Sequence, residues 1–279
     1  MPSISVIIGT YNHLPYLRLC LAALERQSFR DFEVIIADDG SGPEVAGWLA
    51  EYRPFFPTRH LWQEDRGFRK CRLLNRAILE SGAEYIVFLD ADCIVAGDFL
   101  EVHWTRKRPG VYLGGRRVMM DERTSGRVTR EMVDGGRFDG PTLWGLRHAV
   151  AGRFKYYEET FRVLHRIRRG SPFNLLGCNF SIHRSDLLAV NGFDEDYETR
   201  GGGEDTDIAL RLNVAGRRME SVRYLAIQFH LGHEKSEAKT ASARIFDEKR
   251  RRIATAADAA EIKSVLAGRG RGVKTGDGA

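Results

Sequence analysis

A chain of 279 residues, 43% hydrophobic and 29% charged, carries enough apolar material for one large α/β domain without disulfide or metal staples. Lys plus Arg exceed Asp plus Glu by 43 to 38, an excess gathered around residues 147–169 and 244–252; this suits phosphates, anionic lipid heads or acidic glycans, or a solvated helix face, and no nucleic-acid partner is expected. No stretch approaches the roughly 20 apolar residues of a membrane span, and Cys20, Cys71, Cys93 and Cys178 form no C-x-x-C pair, which argues against a zinc site or a disulfide framework.

Residues 4–8 are a β-branched apolar run, 14–26 have helical spacing, and 33–37 are apolar again, so the chain opens as strand, helix, strand. A helix at 44–52, a strand at 58–62, a helix at 70–80 and the apolar run 85–89 repeat the pattern. Continuous apolar strands separated by helices predict an α/β fold with a mainly parallel central sheet and helices on both faces. Ligands then gather beyond the carboxyl ends of the strands. Three of those ends are polar: Thr10-Tyr11-Asn12, Asp38-Asp39-Gly40-Ser41 and Asp90-Ala91-Asp92. Further along, the pattern predicts a strand at 112–115, an aromatic and basic helix at 153–168, and a strand at 175–183. A short helix capped by Ser185, a helix at 204–215 and a last strand within 219–230 follow. Residues 236–279 read as a basic helical tail with a disordered end. Met1-Pro2-Ser3 leads directly into a strand rather than a signal peptide. The expected location is therefore the cytoplasm, with peripheral contact at the inner face of a membrane as an option.

Asp90 and Asp92 flank Ala91 just after the buried run 85–89, so both carboxylates can face one site. Two carboxylates this close repel unless a cation lies between them or hydrogen bonds satisfy them, and a hard divalent ion, Mn2+ or Mg2+, resolves that tension. A turn rich in Asp, Gly and Ser is the competing structural reading of residues 38–41. Farther on, Gly201-Gly202-Gly203-Glu204-Asp205-Thr206-Asp207 places three acids at a helix start, more than a cap requires.

The segments 5–12, 35–41 and 88–92, in that order, make the chain similar to the family 2 glycosyltransferases with the GT-A fold, over roughly residues 3–235. The resemblance implies that Thr10, Tyr11, Asn12, Asp38 and Asp39 contact the nucleotide, with Asp90 and Ala91 near the ribose and Asp92 as principal metal ligand. Residues 63–69 resemble the nucleotide-side loop of chondroitin-forming transferases, with Arg69 or Lys70 reaching the diphosphate. The Gly-Gly-Glu-Asp start resembles that of galactosyl- and N-acetylgalactosaminyl-transferases, which makes Asp205 the general base and Glu204 an acceptor-binding residue, the two roles being exchangeable. In those relatives a histidine after the next strand is a further metal ligand; His230 is the first choice here and His233 the second. Gly9 in place of the usual proline, and Leu74 in place of arginine, depart from the pattern.

The expectation is a GT-A catalytic domain over residues 1–235, with a nucleotide half at about 1–95 and an acceptor half at about 96–235. It would be a metal-dependent, inverting enzyme moving a hexose or N-acetylhexosamine from a UDP-sugar to a glycan or lipid-linked glycan hydroxyl. The alternatives are a nucleotidyltransferase acting on a sugar phosphate, which lacks its usual Gly-rich loop here, and a non-catalytic membrane-associated partner using residues 154–169.

Overall fold

In the computed structural model, residues 1–168, 174–198, 203–233, 246–248 and 251 are described. Arg200, Gly201 and Gly202 and nearly all of the expected tail lie outside them.

The β-branched runs form the sheet as their composition dictates. Strands β1 (Ile4–Thr10) and β2 (Phe32–Asp38) are buried along their whole length. Between them α1 (Leu14–Glu25) starts with a proline in its first turn, where the missing N–H costs nothing, and buries Leu17, Cys20, Leu21 and Leu24. Then come α2 (Pro43–Glu51), β3 (Thr58–Trp62), α3 (Lys70–Glu80), β4 (Tyr85–Asp90), β5 (Cys93–Val95) and α4 (Phe99–Arg106). The second half supplies β6 (Val111–Gly114), β7 (Val118–Met120), α5 (Glu122–Ser125), α6 (Arg130–Asp134), α7 (Leu143–Val150), β8 (Phe154–Lys155) and α8 (Leu164–Arg168). It closes with β9 (Phe180–His183), α9 (Arg184–Ala189), α10 (Glu204–Val214), β10 (Arg218–Ser221) and β11 (Gln228–His230).

A seven-stranded sheet has the order β10-β6-β9-β4-β1-β2-β3. Its pairs are parallel except where β9 lies antiparallel between β4 and β6. Because side chains alternate along a strand, Ile4, Val6 and Ile8 of β1 join the core on the α1 face, while Ile7 joins the core that includes Leu73, Ala77, Ile208 and Leu212 from α3 and α10. Helices therefore cover both faces. A four-stranded sheet, β5-β11-β7-β8, stands apart from the first.

Four expectations change. The apolar stretch 219–230 is two strands in different sheets, because Tyr224 adopts a left-handed backbone (φ 66°) and turns the chain between them. Residues 153–168 do not form one helix: Phe154 pairs with Met120, Tyr156 is left-handed at φ 61°, and a 3-10 turn (Tyr157–Thr160) precedes α8. Only Phe180–His183 of the expected strand 175–183 pairs, since Asn179 N–H bonds back to the Leu176 carbonyl in a turn. Ser185 does not cap α9; it lies inside the helix, which begins at Arg184.

Candidate active site

Parallel register sets the site. Thr10 lies opposite Asp38, and Gly9 opposite Asp90, so the carboxyl ends of β2, β1 and β4 finish side by side. Asp38 is fully buried, and its two oxygens accept the N–H of Ser41 (2.8 Å) and meet His60 Nε2 (2.8 Å). Asp39 accepts Gln63 Nε2 at 2.5 Å and the backbone N–H of Arg69 at 2.8 Å. Burial nonetheless raises the Asp39 carboxyl above its usual range, despite these bonds. Asn12, left-handed at φ 51°, locks this edge: its N–H donates to Ser41 Oγ and its Oδ1 accepts Gly42 N–H. The Tyr11 hydroxyl donates to Asp65 at 2.8 Å.

The Arg69 guanidinium folds back onto the Glu64 carbonyl and lines an opening of about 330 Å³ with Arg66, Arg72 and Arg76. Lys70 is the cation that enters the centre. Its Nζ lies 2.6 Å from Asp90 Oδ1. Burial opposes the charge, but Asp90, Glu204 and Asp205 together hold the ammonium well above its ordinary pKa. Gly9 makes room for it, since a Cβ there would stand 2.9 Å from Lys70 Cε. A glycine in place of the family's proline is thus matched to a lysine lying across β1.

Asp92, His230 and His233 converge although 138 residues separate the first two in sequence. The cause is β-pairing: β11 runs antiparallel to β5, with His230 opposite Cys93, the residue after Asp92. The Leu231 N–H donates to the Asp92 carbonyl at 2.8 Å. The Gly232 carbonyl accepts from Tyr16 (2.9 Å), and its N–H donates to Ser125 Oγ (2.7 Å), which fixes the turn carrying His233. Asp92 Oδ2 is 3.2 Å from His230 Nε2 and 3.0 Å from His233 Nε2, and the three donor atoms lie within 4.8 Å of one another. Burial would raise the Asp92 carboxyl, but the two imidazoles hold it far below the ordinary carboxylate range. One carboxylate oxygen and two imidazole nitrogens aimed at one point fit a divalent cation, and this mixed set suits manganese better than magnesium, which favours oxygen shells.

At the start of α10 the three acids divide. Asp207 turns into the core, where Arg211 pairs with it at 2.7 Å. Asp205 accepts the N–H of Gly177 at 2.8 Å, an approach that needs glycine because a Cβ there would fall 2.3 Å from the carboxylate. Burial, then the neighbouring Glu204, push the Asp205 carboxyl up to about 8, against the pull of Lys70. Glu204 is buried, and its Oε2 has no hydrogen-bond partner among the described residues; Thr10 Oγ1 and His230 Nδ1 share that condition. Buried polar atoms cost about 1–3 kcal/mol when unpaired, so such atoms around one centre mark a place for a polar ligand. Asn75 supports this wall by bonding both backbone groups of Phe193, each at 2.8 Å.

The strand-end acids, Lys70 and the histidines thus form one centre. His60 and Arg117 were not singled out by sequence reasoning. His60 sits in the middle of β3, where no spacing in the sequence marks it. Arg117 donates to Cys178 Sγ at 2.8 Å, and a hydrogen bond from Cys93, with Arg117, lowers the Cys178 thiol to about 6 despite burial. No local spacing foretells that layer beneath Asp92, because the fold alone brings Cys93 and Cys178 together.

A mainly parallel sheet with acidic strand ends and a small second sheet is the GT-A architecture of nucleotide-sugar transferases. Two solved structures share it: Staphylococcus aureus TarS 1–349 in complex with UDP-GlcNAc (TM-score 0.61, 18% identity, 95% of this chain and 70% of that one) and the Pyrobaculum calidifontis mannosyltransferase PcManGT in complex with GDP-Man and Mn2+ (TM-score 0.56, 20% identity, 95% and 68%). Residues 5–185 match glycosyl transferase family 2, and the chain belongs to that family. Residues 162–234 also match the N-terminal domain of galactosyltransferase. Among curated relatives, the chain is 26% identical over 228 residues to validoxylamine A glucosyltransferase of Streptomyces hygroscopicus subsp. jinggangensis, covering 77% of this chain and 52% of that protein. It is likewise 26% identical over 234 residues to the chondroitin synthase of Escherichia coli, covering 78% and 33%. The chain thus spans about half the length of the first and a third of the second.

Proposed function

We propose that residues 1–235 form a metal-dependent, inverting glycosyltransferase domain that moves a hexose or N-acetylhexosamine from a UDP-sugar to a hydroxyl of a glycan or lipid-linked glycan. The observation that carries this reading is the convergence of Asp92, His230 and His233 beside Lys70, Glu204 and Asp205. Asp92, His230 and His233 would hold Mn2+ or Mg2+, which when bound supplies positive charge to the leaving diphosphate. Lys70 adds a fixed cation in the same low-dielectric centre. Asp38 and Asp39, oriented by His60, Ser41 and Gln63, present acceptors to the nucleoside, and Thr10, Tyr11, Asn12, Asp90 and Ala91 complete that wall. Arg69 lines the donor-side opening. Asp205 takes the proton of the acceptor hydroxyl and Glu204 receives that hydroxyl's hydrogen bonds, so attack comes from the face opposite the leaving group.

Among the described residues, six of the ten exposed large hydrophobic side chains fall within residues 143–167: Leu143, Leu146, Val150, Tyr156, Val163 and Ile167. Exposed Arg147, Lys155, Arg166 and Arg168 stand among them. That composition supports peripheral contact with an anionic membrane surface, which would bring the enzyme to a lipid-linked acceptor. No helix among the described residues is long and apolar enough to cross a membrane.

The test is UDP release from a panel of UDP-sugars with manganese and mixed acceptors, with and without EDTA and anionic vesicles. Release from one UDP-sugar, stopped by EDTA, is expected, with the protein pelleting on vesicles of phosphatidylglycerol but not phosphatidylcholine. Pyrophosphate release from UTP and a sugar phosphate, with no UDP from any UDP-sugar, would replace this reading with nucleotidyl transfer.

A further inference from the structure

Outside the centre, a second cavity of about 400 Å³ lies between α5, α6 and α7. Arg127, Arg137 and Arg153 line it, together with Thr124, Trp144 and His148, and no carboxylate belongs to the lining. Three guanidiniums around one cavity repel each other, and no described carboxylate forms an ion pair with any of them. Asp121 lies just outside the lining: its carboxylate accepts the Thr124 N–H at 2.7 Å and caps α5. Despite burial, that bond, with the nearby charges of Arg153 and His148, holds it below its usual range, so one carboxylate partly offsets three guanidiniums. Asp139, two residues from Arg137, is paired with Arg26. The Arg137 guanidinium is 5.4 Å from the centre of the Trp144 ring, and that ring packs against Phe138, His148 and Phe154 with centroids 5.9, 4.6 and 5.3 Å away, so the indole is held in place.

Helix α5 joins the cavity to the turn that carries His233. Thr124 precedes Ser125, whose hydroxyl accepts from Gly232 beside His233. Met119, two residues before Asp121, is the β7 partner of His230. A glycan whose reacting hydroxyl sits at Asp205 and Glu204 extends away from the centre, and its next units need a wall of this kind.

We propose that this cavity is an acceptor subsite for an anionic sugar unit, one bearing a carboxylate or a phosphate. The assignment rests on the glycosyl-transfer reading but concerns a different set of residues. Guanidiniums match both groups through paired N–H donors, and the indole of Trp144 gives the sugar an apolar surface. Neutral glycans offer nothing to offset the repulsion among the three arginines.

The experiment is an NMR titration of the full chain with methyl β-glucuronide, glycerol 3-phosphate and methyl β-glucoside, run on the native protein and on Arg137→Gln and Arg153→Gln. UDP binding with manganese is measured in parallel as a check on folding. At least one anionic probe is expected to bind tenfold or more tightly than the neutral glucoside, shifting the Trp144 indole signal, and each substitution is expected to weaken it at least fivefold with UDP binding unchanged. Preference for the glucuronide assigns a carboxylated acceptor; preference for the phosphate assigns a phosphorylated one. Equal binding of all three probes, absence of binding, or full retention in both variants overturns the subsite. None of those outcomes bears on UDP release from donor sugars, which separately tests the transferase reading.

Discussion

Asp92→Asn is expected to lower glycosyl transfer about 10³-fold while leaving the fold and its melting temperature nearly unchanged. The substitution keeps size and one carbonyl oxygen but removes the single negative charge that faces both His230 and His233. Stabilisation of a leaving diphosphate by a bound cation amounts to several kcal/mol, and each 1.36 kcal/mol is about tenfold in rate. The fold is spared because β11 is held against β5 by its ladder and by the backbone bond between Leu231 and Asp92, which no side chain at position 92 supplies. Steady-state UDP release with saturating manganese, together with a melting curve, reads both quantities. Activity within fivefold of the native protein would remove Asp92 from the metal role.

Asp205→Asn is expected to abolish transfer, by at least about 10²-fold as for loss of a general base, and yet to stabilise the protein at alkaline pH. The sign follows from linkage. In the unfolded chain the carboxyl titrates near about 4, whereas burial and Glu204 place it at about 8 in the folded protein. Between those values the unfolded state has released a proton that the folded state keeps, so stability falls as pH rises from about 4 to about 8. Asparagine has no charge to bury and its carbonyl can still accept the Gly177 N–H. The variant should therefore melt close to native at pH 4.5 and several degrees above it at pH 8.5. For the native enzyme kcat/KM should climb toward pH 8, because only the ionised carboxylate accepts the proton. A variant that melts below the native protein at both pH values would show that Asp205 is a structural residue. The same carboxyl being costly to the fold and needed by the reaction is the usual trade between stability and activity.

Much of this was readable in the chain. Strands β1, β2 and β4 announce themselves as short, mainly apolar runs rich in Ile and Val that end in Thr10, Asp38 and Asp90, and helix α3 falls on Lys70–Glu80 as its spacing predicts. Family likeness pointed to one histidine beside Asp92, His230 first and His233 second; that both lie against it, and the physical cause, the antiparallel contact of β5 with β11, could not be read because those strands have only three residues each. Short strands leave no periodicity. The break at Tyr224 and the 3-10 turn after Tyr156 depend on left-handed backbones at tyrosines, which no turn propensity favours. Lys70 entered the reading only as an alternative to Arg69; what separates them is the space above Gly9, which is visible in three dimensions alone.

Calorimetric titration of UDP into the native protein, with manganese and again with EDTA, tests the central claim most directly. A metal-dependent GT-A centre built on Asp92, His230 and His233 predicts binding at least tenfold tighter with manganese. Equal affinity in the two buffers would contradict it.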